Sequence, residues 1–171
     1  LENGTIQKNN HQYVLTRNAS DIHVPDTIQG IIAARIDRLE ESLKCVMQVA
    51  SVIGREFAFR ILQTIMGMRE ELKSHLLDLQ GLEFISQKRL IPEMEYIFKH
   101  ALTQESVYQS LLKKTRQNHH RIIATVLEQH FSEITELQPE ILGHHYSEAG
   151  IVEKAVAYLK RAGEISVQRS A

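Results

Sequence analysis

The sequence predicts a mainly helical protein built around a winged helix, and three observations lead there. Apolar residues recur at three- and four-residue spacing along most of the chain. The period shortens at Phe84–Gln87 and Glu95–Phe98, two short strand-like runs around a Lys88–Glu93 turn that contains Pro92. Three helical runs precede this two-stranded ribbon and more helices follow it, the order of a winged helix that continues into a helical segment.

Residues 4–16 read as a hairpin, with strands at Ile6–Lys8 and Tyr13–Leu15 and Asn9-Asn10 at the turn. Asp26 with Gln29 three residues later resembles a capping box, opening a helix with Ile28, Ile31, Ile32, Arg35, Ile36 and Leu39 on one stripe. These residues, 1–39, form an N-terminal hairpin and connecting helix. The winged-helix domain is expected over 40–112. Its first helix carries Leu43, Val46, Met47, Ala50 and Ile53 and closes at Gly54. A helix over Phe57–Met66 ends at Gly67, and one from Arg69 to Gln80 presents Leu72, Leu76 and Leu79 before Gly81. After the ribbon, Ala101–Leu112 is helical. Residues 113–135 are expected as a linker helix, with His119, Ile122, Ile123, Val126, Leu127 and His130 on one face over 115–131. Pro139 opens a helix to about Ala149, Gly150 breaks it, and a last helix runs from Ile151 to about Gln168.

The final segment, 136–171, fits the spacing of a tetratricopeptide repeat: Leu142, Gly143, Tyr146, Ala155, Leu159 and Ala162 agree in one register. Small residues let two helices approach, and Tyr146 and Leu159 are expected to fill the groove between them. Pro139 stands where the pattern has Trp and Val167 where it has Pro. The alternative is a generic helical hairpin with alanines at its contact. One repeat cannot bury its own apolar face, so further repeats are expected to follow in a longer protein.

Composition narrows the function. The 171 residues are 43% hydrophobic, and 20 Lys and Arg balance 21 Asp and Glu. That balance lacks the positive field of a nucleic-acid or anionic-membrane binder. Cys45 is the sole cysteine, which suits a reducing, cytoplasmic location, and it is expected to fill core space beside Val46 and Val49. No apolar run approaches the roughly 18 residues that would span a bilayer. The start, Leu-Glu-Asn-Gly, reads as an excised piece of a longer protein.

Nine histidines raise the question of metal binding. His119-His120 and His144-His145 are adjacent pairs on helices, so the two members of each point about 100° apart, and His-Glu-x-x-His is absent. Core or surface roles are expected instead, with His145 packed in the repeat and His144 beside Glu148. A DNA-binding winged helix is the alternative function. Its recognition helix, Met68–Gln80, carries Glu70, Glu71 and Asp78 against Arg69 and Lys73, and Lys88 and Arg89 of the wing face Glu93 and Glu95. The charges argue against it. The basic run Lys113, Lys114, Arg116, His119, His120 and Arg121 is expected to be a solvated helix face.

Longer stretches resemble a family. Val24-Pro25-Asp26-Thr27-Ile28-Gln29-Gly30-Ile31-Ile32-Ala33-Ala34-Arg35-Ile36-Asp37-Arg38-Leu39 and Ala50-Ser51-Val52-Ile53-Gly54-Arg55-Glu56-Phe57 are similar to the region after the ATPase core in signal-transduction ATPases with numerous domains. Phe98-Lys99-His100-Ala101-Leu102 through Leu112, and Leu142-Gly143-His144-His145-Tyr146-Ser147-Glu148-Ala149-Gly150, resemble two further blocks. The resemblance is to members often joined to class III adenylyl or guanylyl cyclases and followed by tetratricopeptide repeats, and it covers nearly the whole chain.

The resemblance implies ATP or ADP with Mg²⁺ in the parent, bound upstream. No Gly-x-x-x-x-Gly-Lys-Ser/Thr string occurs here, so the fragment itself is expected to hold no cofactor and to be no enzyme. Its implied partners are the upstream ATPase module, further repeats of the same chain, and a protein bound at those repeats. A pure scaffold that presents repeats is a further alternative. In related switch ATPases a methionine-histidine-aspartate motif after the ribbon contacts the β-phosphate of ADP. His100 falls in a similar place, with Ala101 where the aspartate would be. Its other available role is to cap the strand-to-helix junction.

Overall fold

A computed structural model describes residues 6–9, 12–15, 28–67 and 70–170. The strand-like N-terminal runs form β1 (Ile6–Asn9) and β2 (Gln12–Leu15), antiparallel, with Ile6 opposite Leu15 and Asn9 opposite Gln12. The expected turn at Asn10 and the expected cap at Asp26 lie outside the described residues. Helix α1 (Ile28–Asp37) follows, and its apolar stripe is only partly covered: Ile36 and the following Leu39 pack against the first core, whereas Ile28 and Ile31 are exposed. Arg35 adds a polar contact, donating to the Leu82 carbonyl at 2.9 Å and lying 4.9 Å from the centre of the Phe84 ring.

The winged-helix order then unfolds element by element: α2 (Glu41–Ile53), β3 (Glu56–Ala58), α3 (Phe59–Met66), α4 (Glu70–Gly81), β4 (Ile85–Arg89) and β5 (Glu95–Phe98). The sheet has three antiparallel strands in the order β3-β5-β4, with Phe57 opposite Tyr96 and Ile85 opposite Phe98. Strand β3 corrects the two-stranded ribbon expected from sequence. Residues 57 and 58, read as the start of a helix, instead extend the sheet, because Phe57 turns inward onto Tyr96 and Phe98, with ring centres 5.9 and 5.8 Å away. Strand β4 likewise runs on to Arg89, through residues expected in the turn. Gly67 ends α3 at φ 67°, a left-handed conformation that favours glycine.

The first core gathers Met47 and Ala50 of α2, Leu62 of α3, Leu72 and Leu76 of α4, and Phe98 of β5. Cys45 is exposed, contrary to its expected place in this core: α2 turns Val46, Met47 and Val49 inward and leaves Cys45 on the opposite side.

Helix α5 (Ala101–Ser110) leads to α6 (Lys113–His130), α7 (Ser132–Leu137), α8 (Pro139–Glu148) and α9 (Val152–Ser170). The short α7 had no counterpart in the sequence reading. A second core forms around α6, whose Ile123, Ala124 and Leu127 are buried. It takes Val52 from α2 and Ile61 from α3 on one side, and Leu142, Tyr146 and Ala155 from α8 and α9 on the other. Ile53 and Ile65 pack against both cores. The segment expected as a linker therefore joins the winged helix and the last hairpin through shared packing.

Arg60 of α3 bridges the same joint, pairing with Glu93 at 3.0 Å and Glu133 at 2.5 Å and lying 4.7 Å from the centre of the Phe131 ring. Its side chain is 55% exposed, so these pairs contribute at most about 1 kcal/mol. Burying Phe131 contributes about 1.5–3 kcal/mol. Apolar packing, not charge, holds the joint.

Candidate interaction site at the helical hairpin

Helices α8 and α9 lie against each other because Gly143 has no side chain. A Cβ built at Gly143 would come within 2.7 Å of both Cγ and Cδ2 of Leu159 and 3.3 Å of the Leu159 backbone nitrogen. Gly143→Ala should destabilise the chain by about 1–2 kcal/mol, since overpacking of about 1–3 kcal/mol exceeds the roughly 1 kcal/mol gained in helix propensity. Leu159→Ala added to Gly143→Ala should recover most of that loss in urea unfolding. Additive costs would mean that the two residues do not meet.

Of the other positions expected from repeat spacing, Leu142, Tyr146 and Ala155 are buried and Ala162 is partly buried. Leu159 covers Gly143 yet remains 48% exposed, so it does not fill a closed groove with Tyr146. The Tyr146 ring stacks on Tyr158 with ring centres 5.8 Å apart and planes at 13°. Its hydroxyl donates to Glu128 of α6 at 2.7 Å, as Tyr158 does at 2.8 Å and Lys154 at 2.6 Å. Burial works against ionisation of Glu128, but these three hydrogen bonds outweigh it and hold its carboxyl below the usual range. The same pairing raises Lys154, and burial followed by the bond to Glu128 pushes the Tyr158 hydroxyl up to about 12.

A second polar cluster sits where α5, α6 and α8 meet. His120 and His145 are both buried, and their Nδ1 atoms lie 2.8 Å apart, sharing a hydrogen bond. The Nε2 atom of His120 pairs with the Tyr108 hydroxyl at 3.0 Å. His144, exposed, places its ring centre 5.6 Å from that of His120 and 5.4 Å from that of His145. Burial lowers His120 to about 4, helped by the neighbouring His144 and opposed by Glu148. Burial, followed by the charges of His120 and His144, lowers His145 to about 3. Among the described residues no group of three or more His, Cys, Asp or Glu side chains is placed to hold a metal ion.

His100 is exposed at the junction of β5 and α5, and its side chain makes no capping hydrogen bond to α5. On the winged helix, Lys88 pairs with Glu56 and Arg89 lies 3.7 Å from Glu95, so both wing cations already face carboxylates. Among the described residues no helix is long and apolar enough to cross a membrane.

The chain is 28% identical over 159 residues to an uncharacterized protein of Rhizobium meliloti (strain 1021). The match covers 92% of this chain and 15% of that protein's length. No family model and no solved structure matches the chain.

Sequence spacing placed His145 inside the repeat but did not join it to His120. The two are 25 residues apart, and only the crossing of α6 with α8 brings them together. A signal was present in retrospect: His120 is three residues before Ile123 and seven before Leu127, on the buried face of α6. Glu128, four residues before Ser132, likewise belongs to no motif and is recruited by α8 and α9.

Proposed function

We propose that the chain is a non-catalytic regulatory segment of a nucleotide-switched signalling ATPase, relaying nucleotide state to an array of helical repeats. One observation carries this reading: the second core is built jointly from Val52 and Ile61 of the winged helix and Leu142, Tyr146 and Ala155 of the hairpin. A displacement of one side must then repack the other, which gives a mechanical route between two distant sites. The scaffold alternative would not need a shared core. In this reading the hairpin is the first tetratricopeptide unit, and Val152, Val156, Leu159 and Val167 of α9 form the exposed face on which the next unit stacks. A protein effector bound at the repeats shifts the balance between open and closed states by its differential contacts.

The nucleotide end of the relay is an upstream ATPase module holding ADP or ATP with Mg²⁺, with an output domain such as a class III nucleotide cyclase elsewhere in the same cytoplasmic protein. His100 supplies the contact. It is exposed, uncommitted to capping α5, and able to donate an N–H to a phosphate oxygen. In the intact parent, His100→Leu should speed ADP release on the order of tenfold, the worth of a hydrogen bond to a charged group. Unchanged release in a folded His100→Leu protein would remove His100 from the mechanism. Unchanged nucleotide exchange after deletion of residues 40–130 would reduce the segment to a spacer.

A further inference from the structure

We propose that the buried imidazole pair His120–His145 is a pH-operated latch, which fastens the α8–α9 hairpin to α5 and α6 at neutral pH and releases it in mild acid. The geometry sets the rule. Two Nδ1 atoms 2.8 Å apart share one proton, donated by one ring to the lone pair of the other. Two protonated rings would aim N–H groups at each other across that gap, and neither could accept. The hydroxyl of Tyr108 ties the other end of His120 to α5, so the chain Tyr108–His120–His145 crosses three helices. The His120–His145 link survives only while one of the two Nδ1 atoms keeps a lone pair, whereas the Tyr108 hydroxyl can either donate to Nε2 or accept from it.

The surroundings favour the neutral rings. Arg116 and His119 on α6 and His144 on α8 all disfavour a positive charge at His120, and Glu148 alone among its charged neighbours favours one. A cleft of about 490 Å³ beyond His145, between the sheet and α8, carries Glu56, Glu93 and Glu95 together with Lys88 and Arg89. Lys88 and Arg89 are paired with Glu56 and Glu95, and Glu93 with Arg60, so the cleft offers no unpaired carboxylate to stabilise an imidazolium. Both buried histidines lie at this junction and neither belongs to the first core. Acid therefore acts on the attachment of the hairpin before it acts on the winged helix.

The direction follows from linkage. In an open state each histidine takes up a proton near the ordinary value of about 6.5, whereas the closed state refuses it until well below that value. Closure is fully favoured above about pH 6.5 and loses ground as pH falls toward 4.

Amide hydrogen exchange of the 171-residue chain at pH 7.5 and pH 5, corrected for the intrinsic pH dependence of exchange, tests this. Protection of α8 and α9 should fall on the order of tenfold or more per histidine, while that of α4 and β5 holds. His120→Gln with His145→Gln, which keeps amide donors and acceptors without the titration, should abolish the difference. Parallel loss of protection in α4 and α8 would overturn the latch, as would an unchanged pH response in the double variant. If that variant does not fold, NMR titration of the wild-type imidazoles decides: both protonating near 6.5 in the folded chain contradicts the proposal, and both remaining neutral to below pH 5 upholds it.

Discussion

Tyr146→Ala is expected to cost about 3–5 kcal/mol, a large part of the 5–15 kcal/mol that holds a typical domain together. The ring is 1% exposed, stacks on Tyr158, and lies 4.9 Å from the Lys154 ammonium. Its removal opens a cavity between α6, α8 and α9 and takes a donor from Glu128. Tyr146→Phe keeps the ring and loses only the hydroxyl, and Glu128 still accepts from Lys154 and Tyr158. That variant should cost about 1 kcal/mol. Urea unfolding of the two variants beside the parent chain separates the ring from the hydroxyl. Equal costs would mean that the hydrogen bond, not packing, dominates.

Ile61→Ala should cost about 2–4 kcal/mol, although it lies in the winged helix and far in sequence from the hairpin. Ile61 is 9% exposed and faces the second core, while its neighbour Leu62 faces the first. Truncating Ile61 leaves a void beside α6, against which α8 also packs. Leu62→Ala, equally large in side-chain loss, empties the first core instead and serves as the comparison. Both costs are read from urea unfolding, and an Ile61→Ala loss below 1 kcal/mol would place that side chain outside the core.

Most of the helices were legible because their apolar spacing is regular: Leu72, Leu76 and Leu79 repeat on α4, and Leu43, Val46, Met47 and Ala50 on α2. Strand β3 was not legible, since three residues are too short to show alternation and Phe57 also fits the start of a helix. Cys45 was misplaced because an apolar neighbour in sequence, Val46, says nothing about which face a helix presents. The stripe of α1 was legible at one end only: Ile36 packs against the first core, while Ile28 and Ile31 have helical spacing but remain exposed. Gly143 was legible as a close approach from repeat spacing alone. The His120–His145 pair and the carboxylate of Glu128 were not, because each gains its role from a helix crossing that local sequence does not encode.

Hydrogen exchange in the Ile61→Ala chain tests the shared core most directly. Loss of a winged-helix side chain should raise exchange at the Leu142 and Tyr146 amides of α8 together with that of α3, at least tenfold for a cost above 1.4 kcal/mol. An α8 that keeps its protection while α3 loosens would contradict mechanical coupling between the two halves.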